Sequence, residues 1–167
     1  MCFGLYTKCG YNRDLRTKKM HLYFDKMQLS DLEAVVTLEN NNYEVPWSKG
    51  VIKDCIKSDY HSVVLKQDGA IIAYAFVMTA CDEAHLLNMC VDKSSQSMGL
   101  GRKMLHYIEN LCRYNRCQLL LLEVRVSNTV AQGLYRSFAF ETIGIRKNYY
   151  RCRQGREHAL VMQKKLT

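Results

Sequence analysis

Glu123, Asn128 and Tyr135 are a carboxylate, an amide and a phenol that follow one another closely in the second half of the chain. Glu123 lies in an apolar segment, 118–124, that is predicted to be a strand. A carboxylate among leucines is costly to bury unless it is paired, and burial raises its pKa. Such a group can act as a general base on an amine with a pKa of about 8. The structural alternative is a carboxylate that is solvated at the strand end or by Arg125.

Tyr135 follows Asn128 by seven residues, about two helical turns, so both lie on one face of a helix that is predicted to start at Asn128. A phenol with a pKa of about 10 can protonate a departing thiolate, whose conjugate thiol has a pKa of about 8.5. The alternative for Tyr135 is a core aromatic residue.

A turn with two glycines, residues 96–101 (Gln-Ser-Met-Gly-Leu-Gly), leaves a predicted strand and enters a predicted helix, 99–115. Glycines let the backbone approach a ligand, and the free N–H groups of a helix start favour a pyrophosphate. Arg102 and Lys103 can add positive charge. Met104 stands where a dinucleotide fingerprint would have its third glycine, so an ordinary strand–helix turn remains the alternative.

An alternation of strands and helices must position these groups, and it predicts one mixed α/β sandwich domain over residues 21–167. Residues 1–20 show no periodicity and are predicted to be a mobile N-terminal extension. Strands are predicted at 20–27, 61–67, 70–80, 84–91 (central), 118–124, 140–146 and 158–165. Further helices are predicted after a capping box, Ser30 to Glu33, and after Pro46-Trp47-Ser48, and a basic loop is predicted at 146–156.

The net charge of +8 is uneven along the chain of 167 residues: +4 over 1–26, −2 over 27–142 and +6 over 143–167. A basic balance suggests an anionic partner, but charge at the two ends does not require nucleic acid. The apolar fraction of 48% argues against disorder, and no apolar run approaches the roughly 20 residues of a membrane span.

The eight cysteines form no C-x-x-C pair, and the five histidines lie far apart, so no metal site is predicted. Residues 1–20 lack the apolar core of a secretory leader. The cysteines are therefore expected to be reduced thiols in the cytoplasm.

Val91-Asp92, followed by the glycine turn and Arg102, resembles the acetyl-CoA loop of the GCN5-related N-acetyltransferases (GNAT family). The segment 122–128 (Leu-Glu-Val-Arg-Val-Ser-Asn), followed by Leu134-Tyr135, is similar to the ribosomal-protein-alanine (RimI-like) branch of that family. The resemblance covers about residues 22–166. Further agreement lies at Pro46-Trp47-Ser48, Asp82-Glu83-Ala84, 145–150, 155–159 and Met162.

This resemblance implies a GNAT fold, with a mostly antiparallel sheet that is splayed at the acetyl-CoA site. It implies direct transfer from acetyl-CoA to the α-amine of an N-terminal alanine of a small-subunit ribosomal protein, without metal. Glu123 would be the base, Tyr135 would protonate the CoA thiolate, and Cys90 would not be a nucleophile. The residues implied to bind acetyl-CoA are Met89, Cys90 and Val91 for the pantetheine, Ser97, Met98, Gly99, Leu100, Gly101 and Arg102 for the pyrophosphate, and Asn128.

The acceptor is the least defined part of this hypothesis. Trp47, Tyr149 and Tyr150 are expected walls of a peptide groove, although adjacent residues of an extended strand point to opposite faces, so only one tyrosine ring can line it. The alternatives are another protein N-terminus, a small amine, or a non-catalytic module that binds acyl-CoA or RNA.

Two departures from the family pattern concern the helix that carries Tyr135. Gly133 is expected to break it, at a cost of about 1 kcal/mol. Phe138-Ala139-Phe140 replaces the usual glycine-phenylalanine turn, so a different helix end is expected.

Overall fold

The computed structural model describes residues 21–166, so the expected mobile extension over 1–20 lies outside the described residues. Within this range, seven strands form one sheet, and four α-helices pack against it. The strands are β1 (Leu22–Lys26), β2 (His61–Gln67), β3 (Ala70–Ala80), β4 (Glu83–Val91), β5 (Leu119–Arg125), β6 (Glu141–Cys152) and β7 (Gly155–Lys165). The helices are α1 (Leu32–Asn42), α2 (Lys49–Lys57), α3 (Leu100–Tyr114) and α4 (Thr129–Ser137).

The strand order is β1-β2-β3-β4-β5-β7-β6, so β4 is the central strand, as predicted. Every neighbouring pair is antiparallel except β4 and β5, which are parallel because α3 connects them. This mixed α/β sheet confirms the predicted fold class. None of the described helices is long and apolar enough to cross a membrane.

Helices cover both faces of the sheet. Side chains of β3 alternate between the faces, so Ala75 belongs to the core under α3, and Phe76 belongs to the core under α1 and α2. Met104 of α3 fills the first core, and Val35 and Ile52 fill the second. The two layers fix the ends of α1, α3 and α4 relative to the middle of the sheet, where the predicted site lies.

The predicted capping box at Ser30 and Glu33 is wrong. The reciprocal hydrogen bonds join Gln28 and Asp31 instead, and the Asp31 carboxylate accepts the Gln28 N–H at 2.8 Å. A turn of 3₁₀ helix, Leu29–Asp31, then leads into α1 without a separate cap. Two overlapping polar pairs are present in the sequence, Gln28 with Asp31 and Ser30 with Glu33, and the earlier pair forms the box.

The predicted basic loop at 146–156 is also wrong, because β6 and β7 continue as one long hairpin. Cys152 pairs with Gly155, which leaves a tight turn with φ of +123° at that glycine. A bulge between Arg146 and Tyr150 interrupts the ladder, with Asn148 at φ of +51°. This edge strand is exposed along most of its length, so it lacked the apolar alternation that predicts a strand.

Helix α4 runs through Gly133 without interruption, so the expected break is wrong. Its end keeps the geometry that is usual for glycine: the Phe140 N–H donates to the Tyr135 carbonyl at 3.1 Å, and Ala139 takes a φ of +62°. Alanine therefore occupies the left-handed position, and Tyr135 is held in the last regular turn.

Candidate active site

The strands β4 and β5 separate in the middle of the sheet. Their parallel pairing extends from Glu83–Leu119 to Leu86–Leu122 and no further among the described residues, although both strands continue. On its other side β4 bulges, because Val77 pairs with Leu86 and Phe76 pairs with Asn88. The divergence exposes backbone groups of two strands and opens a cavity of about 320 Å³. This is the splayed sheet that the resemblance implied.

This cavity is lined by both predicted catalytic residues and by Met89 and Asn128, whereas Cys90, Val91 and residues 97–102 do not line it. Its walls come from α1, the loop before α2, the bulged part of β4, the end of β5, α4 and β6. Glu123 and Tyr135 both line it. The other lining residues are Glu39, Tyr43, Val45, Pro46, Trp47, Leu86, Leu87, Asn88, Met89, Val124, Arg125, Asn128, Ala131, Tyr149, Tyr150 and Arg151.

The Glu123 side chain is only 8% exposed, yet it is paired rather than isolated. Its Oε2 lies 2.7 Å from His85 Nε2, and the Arg146 Nε lies 3.2 Å from its Oε1. The hydrogen bond from His85 outweighs desolvation, and with Arg146 it lowers the pKa of Glu123 below its ordinary value. The expected rise in this pKa is therefore wrong, because sequence reasoning found the burial but not the two partners.

One oxygen of Glu123 has no hydrogen bond. Oε1 is buried and finds no hydrogen-bond partner among the described residues, because the nearby Arg146 guanidinium approaches it without hydrogen-bond geometry. A buried acceptor without a donor is costly in a finished structure. Glu123 lines the cavity, and Oε1 is its oxygen that no described residue has engaged by a hydrogen bond.

Tyr135 is buried, and its ring contacts Phe140 at a centroid distance of 5.7 Å. Burial raises the pKa of Tyr135 to about 12, so the phenol stays protonated at any pH near neutrality. Its hydroxyl makes no hydrogen bond to another described residue. The side chain is thus a core residue, as the structural alternative supposed, and it also belongs to the lining of the cavity.

At the end of β4, two backbone carbonyls accept hydrogen bonds from side chains, and the side chain between them is buried. The Met89 carbonyl accepts a hydrogen bond from Tyr43 Oη at 2.9 Å, and the Val91 carbonyl accepts one from Gln96 Nε2 at 3.0 Å. Cys90 between them turns into the core, and burial raises the pKa of its thiol well above its ordinary value. A protonated, buried thiol is not a nucleophile.

The glycine turn is shaped for a backbone cradle. Ser97 and Gly99 have positive φ angles of 62° and 75°, and Gly99 caps α3. A Cβ on Gly101 would come within 3.0 Å of the Leu134 Cδ2 on α4. Gly99 therefore provides a left-handed backbone conformation, whereas Gly101 lets two helices approach each other.

The side chains around this turn are exposed, buried or engaged elsewhere, so the turn offers mainly its backbone N–H groups. Met98 is exposed and Leu100 is buried in the core. Arg102 donates to Ser137 Oγ at 2.9 Å and lies over the Phe138 ring, so it is directed toward the end of α4. Asn128 uses its Oδ1 to cap α4 at the Ala131 N–H, which leaves its Nδ2 group for a ligand.

Both tyrosines of the predicted groove line the cavity, so the expectation that only one could do so is wrong. The β6 bulge breaks the alternation, and the Tyr149 and Tyr150 rings meet edge to face at 4.9 Å. Tyr150 also donates to the Glu123 carbonyl at 3.0 Å. Trp47 also lines the cavity, and its ring stacks on Phe76.

Sequence reasoning missed a second buried carboxylate, Glu39. It is 2% exposed and accepts hydrogen bonds from the Trp47 N–H at 2.8 Å, from the Tyr74 hydroxyl and from the Asn88 amide. A signal was present, because Glu39 occupies the same helical face as the apolar Leu32 and Val35. This network ties α1 to the β4 bulge and to the loop before α2.

Sequence reasoning also missed His85 and Arg146, because nothing in the sequence indicates that either residue contacts Glu123. Both reach Glu123 from other strands, and sequence alone does not give the register of those strands. Among residues 21–166, no group of three His, Cys, Asp or Glu side chains is placed to hold a metal ion.

The comparisons with known proteins agree with this geometry. A model of the acetyltransferase (GNAT) family matches residues 28–140. The chain belongs to this family and is an acetyltransferase that uses acetyl-CoA. This confirms the family resemblance and the GNAT fold that were expected from the motifs.

Similar proteins within the family carry the name of one reaction. The ribosomal protein bS18-alanine N-acetyltransferase of Haemophilus ducreyi is 39% identical over 133 residues, which are 79% of this chain and 92% of that protein. The enzyme of the same name from Escherichia coli K12 is 35% identical over 136 residues, 81% of this chain and 92% of that protein. The crystal structure of the ribosomal-protein-S18-alanine N-acetyltransferase from Escherichia coli gives a TM-score of 0.83 at 33% identity, with 88% of this chain and 95% of that chain covered.

Proposed function

We propose that this acetyltransferase transfers the acetyl group of acetyl-CoA to the α-amine of an N-terminal alanine, in a small-subunit ribosomal protein of the bS18 type. The observation that carries the proposal is the cavity where β4 and β5 separate, because it is lined by both a buried carboxylate and a free phenol. Relatives of 39% and 35% identity carry the name of this reaction. The free thiols within residues 21–166 agree with a cytoplasmic enzyme.

The acetyl-CoA side of the proposal rests mainly on backbone groups. The pantetheine would extend along Met89, Cys90 and Val91, where β4 has lost its β5 neighbour. The pyrophosphate would lie on the N–H groups of residues 97–102, at the start of α3. Asn128 would add its Nδ2 group beside the pantetheine. Acetyl-CoA supplies the activated acetyl group when it is bound.

The chemical step needs one proton acceptor and one proton donor. The amine nitrogen forms a bond to the acetyl carbonyl carbon, the carbon–sulfur bond breaks, and the amine loses a proton as the CoA thiolate leaves. Glu123 takes up the amine proton at its free Oε1, and Tyr135 protonates the sulfur. No covalent acyl-enzyme forms, which agrees with the buried thiol of Cys90.

The acceptor side supports a peptide terminus with a small first residue. Trp47 and Tyr149 both line the cavity, and its volume of about 320 Å³ must hold the thioester as well as the first side chain. An ion pair between Glu44 and Arg153, with oxygen and nitrogen 3.0 Å apart, joins the loop before α2 to the β6–β7 turn.

The test is an acetylation assay with peptides that differ only in their first residue. The bS18-type peptide that begins with alanine should be acetylated on its α-amine, and mass spectrometry with fragmentation locates the acetyl group. The same peptide with a blocked α-amine and an internal lysine is the matched control and should stay unmodified. Transfer to the lysine, or to a polyamine in preference to every peptide, would replace the proposal by another acceptor class. No transfer to any peptide terminus would contradict it.

A further inference from the structure

The place of His85 in the sheet makes it the one β4 side chain that can reach Glu123. The β4–β5 pairing ends at Leu86 and Leu122, and Glu123 is the next residue of β5. His85 pairs with Leu121, so it shares a face with Glu123 two positions further along β5. Beyond that point the strands separate, and β4 turns into its bulge.

The two oxygens of Glu123 differ in their hydrogen bonding. His85 Nε2 lies 2.7 Å from Oε2, while the buried Oε1 makes no hydrogen bond. A carboxylate that accepts a bond at one oxygen only is fixed in rotation, and its second oxygen keeps an open lone pair.

We propose that His85 is a positioning residue for the acetyl transfer: it holds Glu123 by Oε2 and so leaves Oε1 for the amine of the acceptor. This inference rests on the proposed function, because it assigns Glu123 as the proton acceptor. The hydrogen bond also supplies the largest contribution to the lowered pKa of Glu123.

Several other groups surround Glu123 and define what His85 alone can change. Arg146 approaches Oε1 from β6 but is 52% exposed, so solvent screens its charge. The neighbour on β7 is Val161, which does not titrate. The titratable or charged neighbours from other elements are His85 on β4, Arg146 and Tyr150 on β6, and Tyr135 on α4.

The test measures the Glu123 carboxyl directly and then the reaction. Carbon-detected NMR of glutamate-labelled protein follows the titration of Glu123, and Glu123→Gln identifies its signal by deleting it. His85→Leu removes the donor and should raise the midpoint of this titration by about one pH unit. His85→Gln keeps an N–H donor at a similar reach and should restore a midpoint near that of the unsubstituted protein.

The kinetic part of the test measures kcat/KM of each variant on one peptide and divides it by kcat/KM of the unsubstituted enzyme at the same pH. Ionisation of the peptide then has no effect on this ratio. The ratio for His85→Leu should be lower at pH 5 than at pH 8 by at most about threefold, because a larger share of Glu123 is then protonated at pH 5. His61→Leu is the matched control, since His61 contacts Thr79 on the same sheet and not Glu123, and its ratio should be flat.

The outcomes separate this inference from the proposed function. An unchanged Glu123 titration in His85→Leu would overturn the role of His85, whatever the acceptor is. A His85→Gln variant that behaves like His85→Leu would also overturn it, because ring packing and not the hydrogen bond would then matter. A shifted titration in a protein that acetylates no peptide would keep the His85–Glu123 assignment and reject the proposed function.

Discussion

Glu39 and Glu123 are two buried carboxylates on the walls of one cavity, and their surroundings differ in kind. Glu39 receives hydrogen bonds from neutral groups only, among the described residues, and both of its oxygens are used. Glu123 meets His85 and Arg146, and one of its oxygens has no hydrogen bond. Burial alone therefore does not tell a structural carboxylate from a chemical one; the partners and the unused oxygen do.

The donors of Glu39 come from three separate elements of the fold. Tyr74 on β3 is a permanent donor, because burial and the nearby carboxylate raise its pKa far above its ordinary value. Asn88 belongs to the β4 bulge, and Trp47 lies in the loop before α2 and lines the cavity. Glu39 thus links α1, β3, β4 and the loop before α2, whereas Glu123 is the residue that we propose as the proton acceptor.

The largest effect that would test this contrast is on turnover. Glu123→Gln keeps the size of the side chain but removes the proton acceptor, so kcat should fall by about 100-fold or more. Acetyl-CoA binding, measured by calorimetry, should change by less than about threefold, because the cradle at the start of α3 is untouched. An unchanged kcat near neutral pH would show that Glu123 is not the base.

The next effect concerns stability and should single out Glu39. Glu39→Ala leaves the Trp47 N–H and two further donors without an acceptor, so it should lower the free energy of unfolding by about 3 kcal/mol in urea denaturation. Glu39→Gln keeps an acceptor and should recover more than half of that loss. Glu33→Ala is the matched control on the same helix, since Glu33 is 73% exposed. Equal losses for Glu39→Ala and Glu33→Ala would remove the structural role.

The contrast also explains what the sequence could and could not predict. Strands β2 and β3 match the predicted spans, because Asp68-Gly69 marks the turn between two periodic segments. Glu123 and Tyr135 were found from residue type and spacing, and they do share a cavity. The pairing of Glu123 was not predictable, since His85 and Arg146 reach it through the registers of separate strands.

The helix that holds Tyr135 shows the same limit in another form. Composition favoured a break at Gly133 and an altered end at Ala139, yet α4 is continuous and closes with its usual hydrogen bonds. Packing of α4 against Gly101 of α3 outweighs the local cost, which is about 1 kcal/mol per unfavourable residue. Local preference therefore predicted the place of the helix better than its regularity.

A smaller effect on turnover is expected at Tyr135. Tyr135→Phe removes a hydroxyl without a hydrogen bond to other described residues, so stability should change by less than about 0.5 kcal/mol. The rate of acetyl transfer should fall about tenfold, because the thiolate would then leave without its proton donor. A pKa of about 12 predicts that the unsubstituted enzyme shows no loss of this donor below about pH 10. An unchanged rate would show that Tyr135 is a core residue and not the proton donor.

The smallest effect should come from Arg146, and its dependence on pH sharpens the comparison. The pKa of Glu123 is lower in the folded chain than its ordinary value, so the paired carboxylate stabilises the fold above that ordinary value. This contribution is lost as the pH falls through the folded pKa. Arg146→Gln should therefore cost at most about 0.5 kcal/mol at pH 7, since Arg146 is 52% exposed, and nothing once Glu123 is protonated. Lys147→Gln makes the same change in net charge one residue away and should cost nothing at either pH. A loss for Arg146→Gln that persists in acid would mean that Arg146 acts by packing on Tyr149, over whose ring it lies at 5.3 Å, and that His85 alone keeps Glu123 ionised.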